Sequence, residues 1–330
     1  MSDRKSSKRS CLSNFVGLAL IVGMIVALLM FGFSLRDLFS HDQDSTQEQI
    51  SQLATPTLRP TSVPPTLTPT NLPPASPTIQ PTVPSVPSPT QTPAADSGWR
   101  LLQPGLESRS ISIFDQETGR QLEKLTIVRL EPTQFNFDVG YSPGRPKTLD
   151  SWQQESQALL VVNAGYFTAE YLATGLTISD GQAFGSSYGP FAGMVSVSGN
   201  EPSSNVDVRW LRQAPYSPAE NLWGAFQSFP ILVHSGGTAA FPAESDNGDR
   251  SRRTAIGKDS NGRILILVSS QGWFTLSELS SWLAQSDLDL QLAINLDGGT
   301  STGLIMAHPE QPVQLLPFSL LPTVLLVSPK

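Results

Sequence analysis

The sequence predicts an α+β domain on a mixed, largely antiparallel sheet with few helices, preceded by a single transmembrane helix and a Pro/Thr/Ser-rich linker. Three observations carry this expectation. An unbroken uncharged run extends from Phe15 to Phe33. Thirteen of the 28 prolines fall between Pro56 and Pro93. Beyond them, short runs of period-two apolar alternation outnumber helical patterns, and hairpin turns outnumber β-α-β units.

The chain therefore divides into a basic tail (1–14), an anchor (15–34), a linker (35–97) and a folded domain (98–330). The anchor run is the length a helix needs to cross the hydrocarbon layer. Arg4, Lys5, Lys8 and Arg9 precede it, while Arg36 and Asp37 cancel on its far side. The positive-inside rule then predicts a single-pass cell-membrane protein, with a cytoplasmic N-terminus and an extracytoplasmic C-terminal domain. A cleaved signal peptide fits less well, because Ser34-Leu35-Arg36 is not a small-x-small cleavage site. In the linker, proline removes backbone donors and fixes φ, so the segment is an extended spacer. At about 3 Å per residue its reach is on the order of 100 Å.

The net charge of -7 supplies no basic face, so nucleic acid is not an expected partner. Cys11, before the anchor, is the one cysteine. The folded domain can hold neither a disulfide nor a thiolate zinc site.

Within the domain, strands are expected at Ser110–Asp115, Leu125–Leu130 and Gln134–Val139. Thr148 caps a short helix through about Ser156, and an apolar run follows at Ala158–Val162. Further strands fall at Leu176–Ser179, Met194–Ser198, Ile231–His234, Thr254–Lys258 and Arg263–Ser269. Asp259-Ser260-Asn261-Gly262 joins the last two as a hairpin turn. Thr275-Leu276-Ser277-Glu278 is a capping box, with Leu276, Leu279 and Leu283 on one helical face. Leu292–Leu296 and Val324–Val327 are late strands.

Three polar segments end apolar runs: Val162–Phe167, Arg252–Gly257 and Asn295–Thr302. In the third, a carboxylate follows a buried strand and precedes two glycines and three hydroxyl residues. Glycines let backbone approach a ligand, and hydroxyls bond sugar or phosphate oxygens. A plain Asp-Gly hairpin turn is the competing reading of the same residues.

Five segments in order carry a resemblance to a known family. They are Asn163-Ala164-Gly165-Tyr166-Phe167, Gly175–Gly181, Phe229-Pro230-Ile231-Leu232-Val233, Arg253-Thr254-Ala255-Ile256-Gly257 and Asn295-Leu296-Asp297-Gly298-Gly299-Thr300-Ser301-Thr302. Across about Gln157 to Val327 they resemble the motifs of the phosphodiester glycosidase family. Thr300 stands where that family has a third glycine, and Arg252 where it often has proline.

The resemblance implies a hydrolase that removes a sugar, of N-acetylglucosamine type, from a sugar-1-phosphate diester in a cell-envelope or exopolysaccharide glycan. Arg253 would grip the phosphate through its guanidinium fork. Asp297 would act on the sugar side by activating water, attacking the anomeric carbon or binding a hydroxyl. Asn163, Gly165, Gly298, Gly299, Ser301 and Thr302 are the expected substrate-binding residues, with the Gly298 and Gly299 amides orienting the ligand. No metal ligands are expected among them, and no cofactor. Ca2+ is considered only at Asp246-Asn247-Gly248-Asp249, which lacks the spacing of an EF-hand loop. The alternative is a non-catalytic cell-wall or polysaccharide-binding module, which would use Trp210, Trp223 and Trp273 but need neither Asp297 nor Arg253.

Overall fold

The computed structural model describes residues 95–234 and 236–330. The expected tail, the anchor and nearly all of the linker lie outside the described residues. Among the described residues, no helix is long and apolar enough to cross a membrane. Asp96, just before the expected boundary, bridges to Ile111 and forms an ion pair with Arg109.

A single mixed sheet was expected; there are three sheets, and every strand pairing among the described residues is antiparallel. The first has eight strands in the order β1 (Arg100–Gln103), β2 (Leu106–Phe114), β3 (Gln121–Leu130), β14 (Ile264–Ser269), β13 (Arg253–Asp259), β15 (Leu290–Asn295), β11 (Ile231–His234) and β12 (Thr238–Ala239). The second runs β7 (Gln182–Phe184), β6 (Thr177–Ser179), β10 (Leu222–Ser228), β8 (Gly193–Ser198) and β9 (Val206–Trp210). The third runs β17 (Val313–Leu315), β16 (Leu304–Met306), β5 (Leu160–Asn163), β18 (Thr323–Pro329) and β4 (Phe135–Tyr141).

The main core lies where the three sheets meet. Ile264, Ile266 and Val268 of β14 face it beside Val162 and Leu325 of the third sheet and Val195 and Phe226 of the second. The intervening Leu265 and Leu267 face the opposite way, against Leu279 and Leu283 of helix α2 (Leu276–Gln285). Both faces of β14 are thus covered, which explains its uninterrupted apolar sequence. Helix α1 (Leu149–Ser156) covers the outer face of the third sheet through Leu149 and Trp152.

Both helices start as their sequences dictate. The Thr148 hydroxyl accepts from the Ser151 amide, and Thr275 and Glu278 form the reciprocal capping box. Such caps satisfy amides that the first helical turn leaves without partners.

One end of this assembly is where the chain passes between sheets. β5 ends there and runs into Ala164-Gly165-Tyr166. β10 of the second sheet turns through Phe229-Pro230 into β11 of the first, and β15 of the first turns through Asp297–Gly303 into β16 of the third. These connections are laced together. The Asp297 amide donates to Ala164 O at 3.1 Å, that of Asn295 to Pro230 O at 2.8 Å, and that of Leu296 to Thr254 O at 2.8 Å.

Candidate active site

The crossover end gathers the three polar segments, which are up to 139 residues apart in sequence, from Asn163 to Thr302. Asn163 is the centre of the framework. Its Nδ2 donates to Asp297 O at 2.7 Å. Its Oδ1 accepts from the Thr254 hydroxyl at 2.8 Å and the Gly303 amide at 3.0 Å. With its side chain fully buried, Asn163 holds the loop in place from beneath.

Gly165 is also buried, and a Cβ there would stand 2.9 Å from Gln227 O. Its role is to let the first polar segment lie against β10. Thr302 is fully buried, and its hydroxyl has no partner among the described residues. These three residues shape the loop from below.

Asp297 sits at the upper surface of this framework. The Gly298 amide donates to its Oδ1 at 2.9 Å, and the Ser301 hydroxyl bonds the carboxylate as well. Burial nevertheless pushes the Asp297 carboxyl up to about 6, against both hydrogen bonds, which favour the ionised form. The Gly298 and Gly299 amides were expected to orient a ligand. They are occupied instead, the first by Asp297 itself and the second by Arg252 O at 2.7 Å. The glycines serve close packing. A Cβ on Gly298 would lie 3.0 Å from Arg252 O, and Gly299 adopts φ +59°, a left-handed conformation costly for other residues.

Arg253 lies beside this loop, its Cδ 3.9 Å from the ideal Cβ position of Gly298. At 8% exposure it is no surface arginine. Its Nε donates to Phe274 O at 3.3 Å and its Nη2 to Asp249 O. Nη1 makes no hydrogen bond among the described residues. Desolvation lowers the arginine's pKa, but the guanidinium keeps its charge across the physiological range. Arg252 turns the other way. It donates to Thr302 O at 2.7 Å and Leu316 O at 3.2 Å, and lies over the Phe318 ring. Thr300 is exposed, and its hydroxyl accepts from Ser319 at 2.8 Å.

Tyr166 was not among the expected site residues, although it lies inside the first polar segment. Its phenol donates to Phe229 O at 2.8 Å and accepts from Asn295 Nδ2 at 2.7 Å. Burial and then the negative charge of Asp297 raise its pKa, opposed by the positive charge of Arg253. One phenol therefore feels both charged groups, and it remains a neutral donor.

The Asp246–Asp249 turn is tied into the fold. Asp246 accepts from the Gly248 amide at 3.0 Å and the Ser277 amide at 2.6 Å. These and related hydrogen bonds outweigh desolvation and hold its carboxyl well below the ordinary range. Among the described residues, no group of three or more His, Cys, Asp or Glu could hold a metal ion. His234 bonds Thr238 at 2.9 Å and stacks on Trp210, while Trp223 donates to Asp138 at 2.9 Å.

Phe229 also borders a cleft of about 570 Å3, lined further by Trp210, Arg212, His234, Phe241 and Asn247. Neither Asp297 nor Arg253 lines it. The cleft adjoins the charged cluster across the Tyr166–Phe229 contact.

A half-buried carboxylate and a buried guanidinium, both at one glycine loop of a three-sheet junction, form a site suited to an anionic sugar derivative. Residues 156–327, more than half of the chain, match the phosphodiester glycosidase model. The chain belongs to that family and is a hydrolase of phosphodiester-linked sugars.

The fold is similar to that of the zebrafish N-acetylglucosamine-1-phosphodiester alpha-N-acetylglucosaminidase catalytic domain, auto-inhibited by its pro-peptide. The TM-score is 0.54 at 18% identity, covering 69% of this chain and 85% of that one. A hypothetical protein from Synechocystis aligns at 18% identity and a TM-score of 0.48, over 69% of this chain and 62% of that one. None of the curated proteins compared matches the chain.

Proposed function

We propose that the protein removes a sugar of N-acetylglucosamine type from a sugar-1-phosphate diester in a cell-envelope or exopolysaccharide glycan. It would work outside the cytoplasm, on a tether formed by residues 15–34 and the proline-rich linker. The observation that supports the reading best is Asp297, a half-buried carboxylate with a pKa raised to about 6, on the loop whose Gly298 the buried Arg253 side chain lies against.

Cleavage at the sugar C1–O bond releases a phosphomonoester. Its second pKa is near 6, so it departs without a strong general acid. Ordinary glycosides differ, because a protonated carboxylic acid must assist an alkoxide leaving group. A site for phosphodiesters thus needs a cation at the phosphate and a single carboxylate at the sugar. Arg253 Nη1 supplies the first and Asp297 the second. Ionised at neutral pH, Asp297 can act on water or on the anomeric carbon. The phenol of Tyr166, kept protonated and under the influence of both charges, supports the geometry through Phe229 and Asn295.

The test is release of sugar from a synthetic sugar-1-phosphate diester by the full chain and by Asp297→Asn and Arg253→Ala. Loss of at least a hundredfold in kcat/KM for Asp297→Asn, with its circular dichroism unchanged, is expected. Full turnover by a folded Asp297→Asn protein would remove Asp297 from the mechanism.

A further inference from the structure

The cleft next to the charged cluster takes no part in the bond cleavage proposed for Asp297 and Arg253, yet its chemistry is specific. Phe229 and Phe241 line it and end a run of neighbouring aromatic rings that starts outside the cleft at Tyr166. Tyr166 lies 5.3 Å from Phe191, which stacks on Phe229 at 6.2 Å and 10°, and Phe229 meets Phe241 edge-on at 6.2 Å. Phe229 thus belongs to both places, its carbonyl bound to Tyr166 and its 39% exposed ring lining the cleft. Trp210 and His234 line the cleft as well, and their rings lie parallel, 5.6 Å apart at 10°. Flat aromatic surfaces of this kind pack against the apolar faces of sugar rings.

The third feature is Arg212. It is exposed, lines the cleft, and makes no hydrogen bond or ion pair among the described residues. Three arginines of the domain are held by carboxylates: Arg109 by Asp96 and Asp287, Arg129 by Glu107, and Arg209 by Glu220. A guanidinium without a carboxylate, beside stacking rings, suits an oxyanion carried on a glycan.

We propose that this cleft is the subsite for the glycan beyond the scissile phosphate, and that Arg212 binds an oxyanion on that extension. The inference rests on the hydrolase reading for its orientation, since the cleft adjoins the cluster on the side marked by Phe229. The oxyanion is a phosphate or a uronate carboxylate, which share the geometry a guanidinium fork accepts. The preferred substrate is then an extended acidic glycan, and a minimal sugar-phosphate diester occupies only half of the site.

The experiment titrates full-length Asp297→Asn protein calorimetrically with three synthetic ligands. All carry the same terminal sugar-1-phosphate diester. One is extended by a phosphorylated sugar, one by a uronic acid and one by a neutral sugar. At least one acidic ligand is expected to bind about tenfold tighter than the neutral one, which converts to about 1.4 kcal/mol. The tighter of the two identifies the anion. Adding Arg212→Glu should reduce the acidic-to-neutral ratio to one or below, and Arg212→Lys should restore part of it.

Equal affinities for all three ligands, or discrimination that survives Arg212→Glu, would overturn the proposal. Failure of the hydrolase reading looks different: acidic ligands bind selectively, but the unaltered protein releases no sugar.

Discussion

The chemistry of the site depends on the state of one carboxyl group. Asp297 has an ordinary pKa of 3.8 and is raised to about 6 by burial. If it acts as base or nucleophile, kcat/KM should fall below about pH 6, following one ionisation. A pH profile of turnover, measured on a diester that does not itself titrate in that range, checks this. The same shift carries a stability consequence with a definite sign. The folded state holds the Asp297 proton more tightly than the unfolded chain, so this group's contribution to stability falls as pH rises from about 4 to about 6. Above that range the buried charge costs at most about 3 kcal/mol. Asp297→Asn should therefore raise the melting temperature at pH 7.5 while removing turnover, and the gain should shrink at pH 4. A melting temperature lowered at pH 7.5 would mean the carboxylate is structural.

Among the elements, the coil before helix α2 sets Arg253 in place, and a residue far away in sequence sets the coil. Glu123 of β3 is fully buried. Its Oε1 accepts from the amides of Lys124, Ser270 and Gln271, and its Oε2 from that of Trp273 at 3.0 Å. That coil then offers Phe274 O to Arg253 Nε. Glu123→Ala would leave several buried amides unpartnered and cost about 3 kcal/mol. The expected result is a lower denaturation midpoint and a weakened kcat/KM, since the carbonyl holding Arg253 is released. An unchanged midpoint would show that water replaces the carboxylate without penalty. Nothing in the sequence around Glu123 announces this task, because three of its four partners lie some 150 residues downstream.

For the whole molecule, the domain contains no cysteine, and Ala95 and Asp96 already pair with β2 through Ser112 and Arg109. A chain of residues 95–330 should fold cooperatively and keep the kcat/KM of the full chain on a soluble diester. If residues 1–94 act as a tether, the full chain should sediment with membranes and the shortened one should not. Equal partition of both into the soluble fraction would argue against the anchor.

What the sequence by itself determined was local in its physics. The alternation in β4, the N-cap at Thr148, the capping box at Thr275 and the 259–262 turn were all legible, since each depends on neighbours within a few residues. The strand β10 was not, because Gly224 breaks its pattern. That glycine is there because a Cβ would lie 3.0 Å from Val139 of another sheet. The candidate site divides in the same way. Arg253 and Asp297 could be named from five ordered motifs, but not the direction of their surroundings. Only the tertiary structure decided that Asn163 and Gly165 support the loop, that the Gly298 and Gly299 amides are occupied, and that Tyr166 sits within reach of both charges. Burial and hydrogen-bond direction are properties of the three-sheet junction, where residues up to 139 positions apart become neighbours, and no stretch of chain encodes them alone.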